Sequence, residues 1–116
     1  MALKAYWAYD FACGRSLANM LAHFNQAGPW TWEARESAWY GDYLRTRPTE
    51  GVRVRLHEYP QGGEAGTFVG RQKQGFSALL QIDGDSAASR AEIDEVLKRL
   101  LAGIGATELT EIEPYD

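Results

Sequence analysis

The chain has 116 residues, 45% hydrophobic and 24% charged, with a formal net charge of −4. That is the length of one domain, here taken as 1–116, able to bury roughly two-thirds of its unfolded surface in a single core. Its single cysteine excludes an internal disulfide, and the acidic total argues against general DNA binding, which rests on phosphate neutralisation.

The opening MALKAYWAYDF does not place a long apolar run behind a charged segment, so it does not read as a secretory signal. No apolar stretch is long enough to span a bilayer. The expectation is a soluble, cytoplasmic protein without a membrane. Within that opening, Leu3, Ala5, Trp7, Tyr9 and Phe11 alternate with other residues, which predicts a strand buried on at least one face. The period then changes. Leu17, Met20, Leu21 and Phe24 fall at helical spacing, Ser16 can cap the start, and Gly28-Pro29 ends the helix.

Trp30, Trp32 and Ala34 alternate with Thr31, Glu33 and Arg35, a second strand. The following ESAWYGDYLRTRP predicts a strand that ends in a turn at Gly41-Asp42. Val52, Val54 and Leu56 alternate with Arg53, Arg55 and His57, a strand with one polar face. Residues 61–75 carry five glycines and read as a long loop, with room for a short strand at Thr67–Val69. GFSALLQIDGD is a further apolar strand running to a turn at Asp83–Asp85. Ser89 and Glu92 form a capping box, and Ile93, Val96, Leu97, Leu100, Leu101 and Ile104 make one apolar stripe closed by Gly103 or Gly105. TELTEIEPYD follows as a short final strand.

This order predicts an α+β fold, the ferredoxin-like split β-α-β sandwich. It would have an antiparallel four- to five-stranded sheet with helices near 16–27 and 89–102 on one face. A different α+β layout is the alternative, because region 30–59 has room for a separate hairpin. The residues match no family signature.

Few residues point to chemistry. Cys13 sits between a strand and a helix beside Arg15, the setting of a reactive thiol, but no base is tied to it. A small buried hydrophobe is the better reading. His23 and His57 lie 34 residues apart and, with one cysteine, cannot build the usual zinc site. Both read as boundary or surface histidines. Asp83 and Asp85 suggest a carboxylate pair, but a turn leading to a helix explains the same letters. The glycines at 62, 63, 66, 70 and 75 lack the order of a phosphate-binding loop. No catalytic residue, metal or cofactor is assigned.

Binding residues are easier to nominate. Arg53, Arg55, His57 and Tyr59 share one strand face, which Glu33, Arg35 and Ser37 can join from a neighbouring strand. Trp39, Tyr40, Tyr43, Arg45 and Arg47 form an aromatic-arginine cluster of the kind that dominates interfaces. Trp30 and Trp32 are expected in the core, with Tyr43, Arg45 and Arg47 toward solvent. The candidate binding set is therefore Trp39, Tyr40, Tyr43, Arg45, Arg47, Arg53, Arg55 and His57. Charge is uneven: residues 45–73 hold six of the twelve Lys/Arg against three acids, and 83–116 hold nine of the sixteen acids against three bases.

These features suggest a non-enzymatic protein-binding module, an inhibitor or immunity-type partner of a basic protein. One alternative is a small dimeric enzyme or ligand-binding domain, its pocket lined by Trp7, Trp39, Tyr43, Arg55 and His57. Another is a single-stranded nucleic-acid binder on an open sheet face, which the acidic total disfavours.

Overall fold

The alternating apolar residues of LKAYWAYDF form β1 (Leu3–Cys13), a central strand with a neighbour on each side. The computed structural model describes residues 3–38, 41–58 and 74–113. After β1 come α1 (Leu17–Ala27), β2 (Trp32–Ser37), β3 (Gly41–Thr46), β4 (Val52–Glu58), β5 (Gln74–Asp83), α2 (Arg90–Gly103) and β6 (Thr107–Ile112). The strands form one antiparallel sheet in the order β2-β3-β4-β5-β1-β6. The fold is α+β, with six strands and two helices among the described residues.

The helix ends follow their local signals. Ser16 accepts a hydrogen bond from the Asn19 amide at 3.1 Å and so satisfies one free N–H at the start of α1. Gly28 ends that helix at φ +63°, where a side chain would be strained. Both bonds of the Ser89–Glu92 capping box are present at α2. At its other end Ile104 is the cap, and Gly105 carries the chain onward at φ +78°.

Both helices pack their buried side chains into one core with a single set of strand residues. Trp7, Tyr9, Phe11 and Cys13 of β1 join Val52, Val54, Leu56, Phe76, Ala78, Leu80 and Ile82, together with Met20, Phe24, Ile93, Leu97 and Leu100 of the helices. Strand register puts these on one face: Phe11 lies opposite Phe76, Tyr9 opposite Ala78, and Val54 opposite Leu80. Trp30 and Trp32 belong to the core, as their parity predicts, with ring centroids 6.1 Å apart. The Asn25 side chain clamps β2 to α1, accepting from the Trp32 amide at 2.7 Å and donating to its carbonyl at 3.1 Å.

Two expectations need correction. The sheet has six strands, not four or five, because region 30–59 does hold a separate hairpin, β2–β3, which extends the sheet beyond β4. Gly41-Asp42 is not the end of a strand but the start of β3. Ser37 pairs with Gly41, so the chain reverses between them, and Gly41 leaves that reversal at φ +72°. Trp39 and Tyr40 lie outside the described residues, as do Tyr59, Thr67–Val69 and most of the glycine-rich stretch.

Candidate functional site

On the face opposite α1 and α2, helix-free among the described residues, the period-two alternation of each strand sets two rows of side chains across all six strands. One row runs Arg35, Tyr43, His57, Ser77, Asp10, Thr110. The other runs Glu33, Arg45, Arg55, Leu79, Ala8, Ile112. The candidate residues Tyr43, Arg45, Arg53, Arg55 and His57 therefore share one face. Glu33, Arg35 and Ser37 join them as expected.

The first row is buried at its centre. Asp10 is 1% exposed, Ser77 0% and His57 3%. Ser77 donates its hydroxyl hydrogen to Asp10 Oδ1 at 2.6 Å. The His57 ring meets the Glu58 carbonyl at 3.0 Å through Nδ1, and because a carbonyl can only accept, Nδ1 carries the proton. Burial pushes the His57 pKa below its ordinary value, Arg55 adds to this, and the Glu58 carbonyl and Asp10 oppose it. The sequence-based view of His57 as a boundary or surface residue is thus corrected. Period-two patterning places it on the polar face, but the centre of that face is buried in the folded chain, and His57 with it.

The second row leads into a cleft of about 150 Å³ lined by Tyr43, Arg45, Arg47, Arg53, Arg55, Leu79 and Gln81, together with Thr46 and Val54. Four of these are arginines, and no described residue lining the cleft is acidic. The acids stand just outside. Glu33 takes Arg35 at 2.7 Å and Arg45 at 3.2 Å, and these guanidinium groups hold its carboxyl below the usual range, the Arg45 hydrogen bond contributing most. Asp83 takes Arg53 at 2.9 Å, and Arg53 also donates to Gln81 at 3.1 Å. Arg47 is exposed and makes no ion pair among the described residues.

Of the pocket expected around Trp7, Trp39, Tyr43, Arg55 and His57, Trp39 lies outside the described residues and Trp7 does not share a face with the other three. Trp7 faces the helices, where its indole N–H donates to Asp94 at 2.8 Å and the Arg90 guanidinium lies 5.0 Å from its ring centroid. A strand's odd and even residues point to opposite faces, so Trp7 and its β1 neighbour Ala8 cannot serve the same site. Trp7 belongs to a structural cluster, with Tyr9 donating to the other Asp94 oxygen at 2.8 Å and Arg90 reaching Glu111 at 2.8 Å.

Other candidates resolve into structure. Cys13 is buried and its thiol donates to the Ile104 carbonyl at 3.4 Å, as expected of a packed side chain. Asp83 and Asp85 flank a turn in which the Asp83 carbonyl accepts from the Ser86 amide at 3.1 Å. Among the described residues no group of three or more His, Cys, Asp and Glu is placed to hold a metal ion, and no helix is long and apolar enough to cross a membrane.

Sequence reasoning missed Asp10, Ser77 and Gln81. Asp10 and Ser77 were visible only as polar letters inside apolar strands, a signal that pointed to buried hydrogen bonding but not to each other. Comparison with protein-family models and with curated proteins finds no match to this chain.

Proposed function

We propose that this domain is a non-enzymatic protein-binding module that engages its partner through the helix-free sheet face. The observation that carries this reading is the cleft with four arginines and no acid among its described lining residues. Arginine suits such a surface because its planar fork makes paired hydrogen bonds to carboxylate or phosphate oxygens. The partner would present an anionic group there, with Tyr43 as an aromatic contact at the rim.

The strand order supports a related reading of the scaffold. The order of strands β4-β5-β1-β6, with α1 after β1 and α2 between β5 and β6, supports a ferredoxin-like split β-α-β reading in which the β2–β3 hairpin, inserted between α1 and β4, extends one edge. In this reading one face of the sheet packs against the two helices, and the outer part of the other, at β3 and β4, holds the cleft.

A second reading keeps the inhibitor or immunity-type partner of a basic protein. It draws on the excess of acids over 83–116, and on the exposed Glu108, Leu109, Glu111 and Glu113 at the β6 edge. The two readings differ in which surface a partner covers. Crosslinked capture with Arg47→Glu, Arg45→Ala and Glu113→Lys separates them. Loss of the captured partner with the arginine variants alone supports the cleft. Loss with Glu113→Lys alone supports the acidic edge and overturns the first reading.

A further inference from the structure

We infer that the arginine cleft is a subsite for a single carboxylate, the side-chain acid of a glutamate or aspartate. This names the anionic group that the reading of the helix-free face as a binding surface calls for, and it rests on that reading.

Strand register builds the cleft. Arg45 lies opposite Arg55 and Thr46 opposite Val54, so the next step beyond β3 brings Arg47 beside Arg53. Across β4, Arg55 lies opposite Leu79 and Arg53 opposite Gln81. Side chains two apart on a strand share a face, so these six form two adjacent rungs over β3, β4 and β5. All six line the cleft, and Tyr43 extends the β3 column.

The ion pairs leave one guanidinium over. Arg45 is held by Glu33 at 3.2 Å and Arg53 by Asp83 at 2.9 Å, while Arg53 also donates to Gln81. Arg55 already interacts within the fold and is not counted. Arg47 is exposed and lines the cleft without an ion pair among the described residues. The surplus is therefore a single positive charge, that of Arg47. One carboxylate matches it, through two parallel N–H···O bonds to the planar guanidinium. A phosphate dianion would exceed it. Arg45 and Arg53 are already oriented by their acids, so on binding only Arg47 gives up much side-chain freedom.

The surroundings select an isolated acid. A cleft of about 150 Å³ holds the carboxylate and its short stem, with Tyr43 and Leu79 as apolar wall. Glu33 stands on the β2 flank and Asp83 on the β5 flank, and both repel a second negative charge placed beside the first. An acid among neutral neighbours fits this frame, whereas an acidic run or a nucleic-acid backbone does not.

Titrations of the whole chain, followed by amide and arginine side-chain chemical shifts, test this. The probes are three short peptides blocked at both ends: Ala-Glu-Ala, Ala-Gln-Ala and Ala-phosphoserine-Ala. Ala-Glu-Ala should shift residues 45–47 and 53–55 at millimolar concentration. Ala-Gln-Ala should bind roughly tenfold or more weakly, as should Ala-Glu-Ala to Arg47→Gln. Arg47→Lys keeps the charge and loses the fork, so it should weaken binding by less than Arg47→Gln. Both variants change an exposed side chain, and their thermal melts should match the wild type. The phosphoserine peptide should bind no tighter than Ala-Glu-Ala. Tighter binding of the phosphoserine peptide overturns the inference, as does binding of Ala-Glu-Ala that Arg47→Gln leaves unchanged. Crosslinked capture with Arg47→Gln separates the subsite from the reading beneath it. If no peptide shifts these residues while the variant loses the protein partner, the carboxylate inference fails and the binding-surface reading stands. If Ala-Glu-Ala binds as expected while the variant keeps the partner, the subsite stands and the binding-surface reading fails.

Discussion

At one point of β1, two neighbouring residues show how differently the two faces of the sheet are built. Phe11 turns to the helices and stacks on Phe76, with ring centroids 5.6 Å apart. Asp10 turns the other way and accepts the Ser77 hydroxyl at 2.6 Å. Both are almost fully buried, at 0% and 1% exposure. The covered face therefore gains free energy from apolar area removed from water, at about 25 cal/mol per Å². The helix-free face holds buried polar groups at its centre, which must be hydrogen-bonded to be tolerated there. Toward β3 and β4 it holds a surplus of positive charge. The first face carries the fold, and the second concentrates groups that packing alone does not require.

The largest effect belongs to the covered face. Phe11→Ala should destabilise the protein by about 3–5 kcal/mol, through lost burial and the cavity beside Phe76. Urea melts measure it. A cost below about 1 kcal/mol would mean that this face is not the main core, and the contrast between the faces would fail.

An intermediate effect is expected from His57. Its pKa is lowered in the folded protein, chiefly by burial, so the unfolded chain takes up the proton more readily. The stability tied to its neutral form is fully present above the ordinary value of 6.5 and declines as the pH falls from there through the lowered native value. Unfolding free energies of the wild type and His57→Gln at pH 7.5 and 5.5 test this. The wild type should lose more stability on acidification than the variant. Identical pH dependence would mean that His57 titrates as it does in water, and that the centre of the helix-free face is open.

The smallest effect lies at the rim of the cleft. Arg47→Glu should change stability by less than about 0.5 kcal/mol, since the side chain is exposed and without an ion pair among the described residues. The same melts give this value. A cost comparable to Phe11→Ala would make the arginine cleft part of the scaffold, and the division of labour between the faces would disappear.

Much of the local structure was legible in the sequence. The helices follow from apolar spacing and from Ser16, Gly28 and the Ser89–Glu92 box, which act within a few residues of themselves. The strand alternation at 52–57 correctly put Arg53, Arg55 and His57 on one face and Val52, Val54 and Leu56 on the other. The hairpin was legible only as an alternative. ESAWYGDYLRTRP reads as one strand with a late turn or as two strands around an early one, and the choice rests on pairing with β4.

Periods, caps and polar strand faces follow from local sequence, because each depends on residues adjacent along the chain. Which strands become neighbours is a property of the folded chain as a whole. Register with β4 carries Arg45 and Arg47 to the side of Arg53 and Arg55 and so makes the cleft. Pairing of β1 with β5 joins Asp10 to Ser77, 67 residues away, and pairing of β4 with β5 sets His57 beside them. Alternation says which face a side chain takes but not what lies opposite, because opposition is fixed by long-range register. Shifting one strand by a single residue would keep its pattern and turn every side chain to the other face.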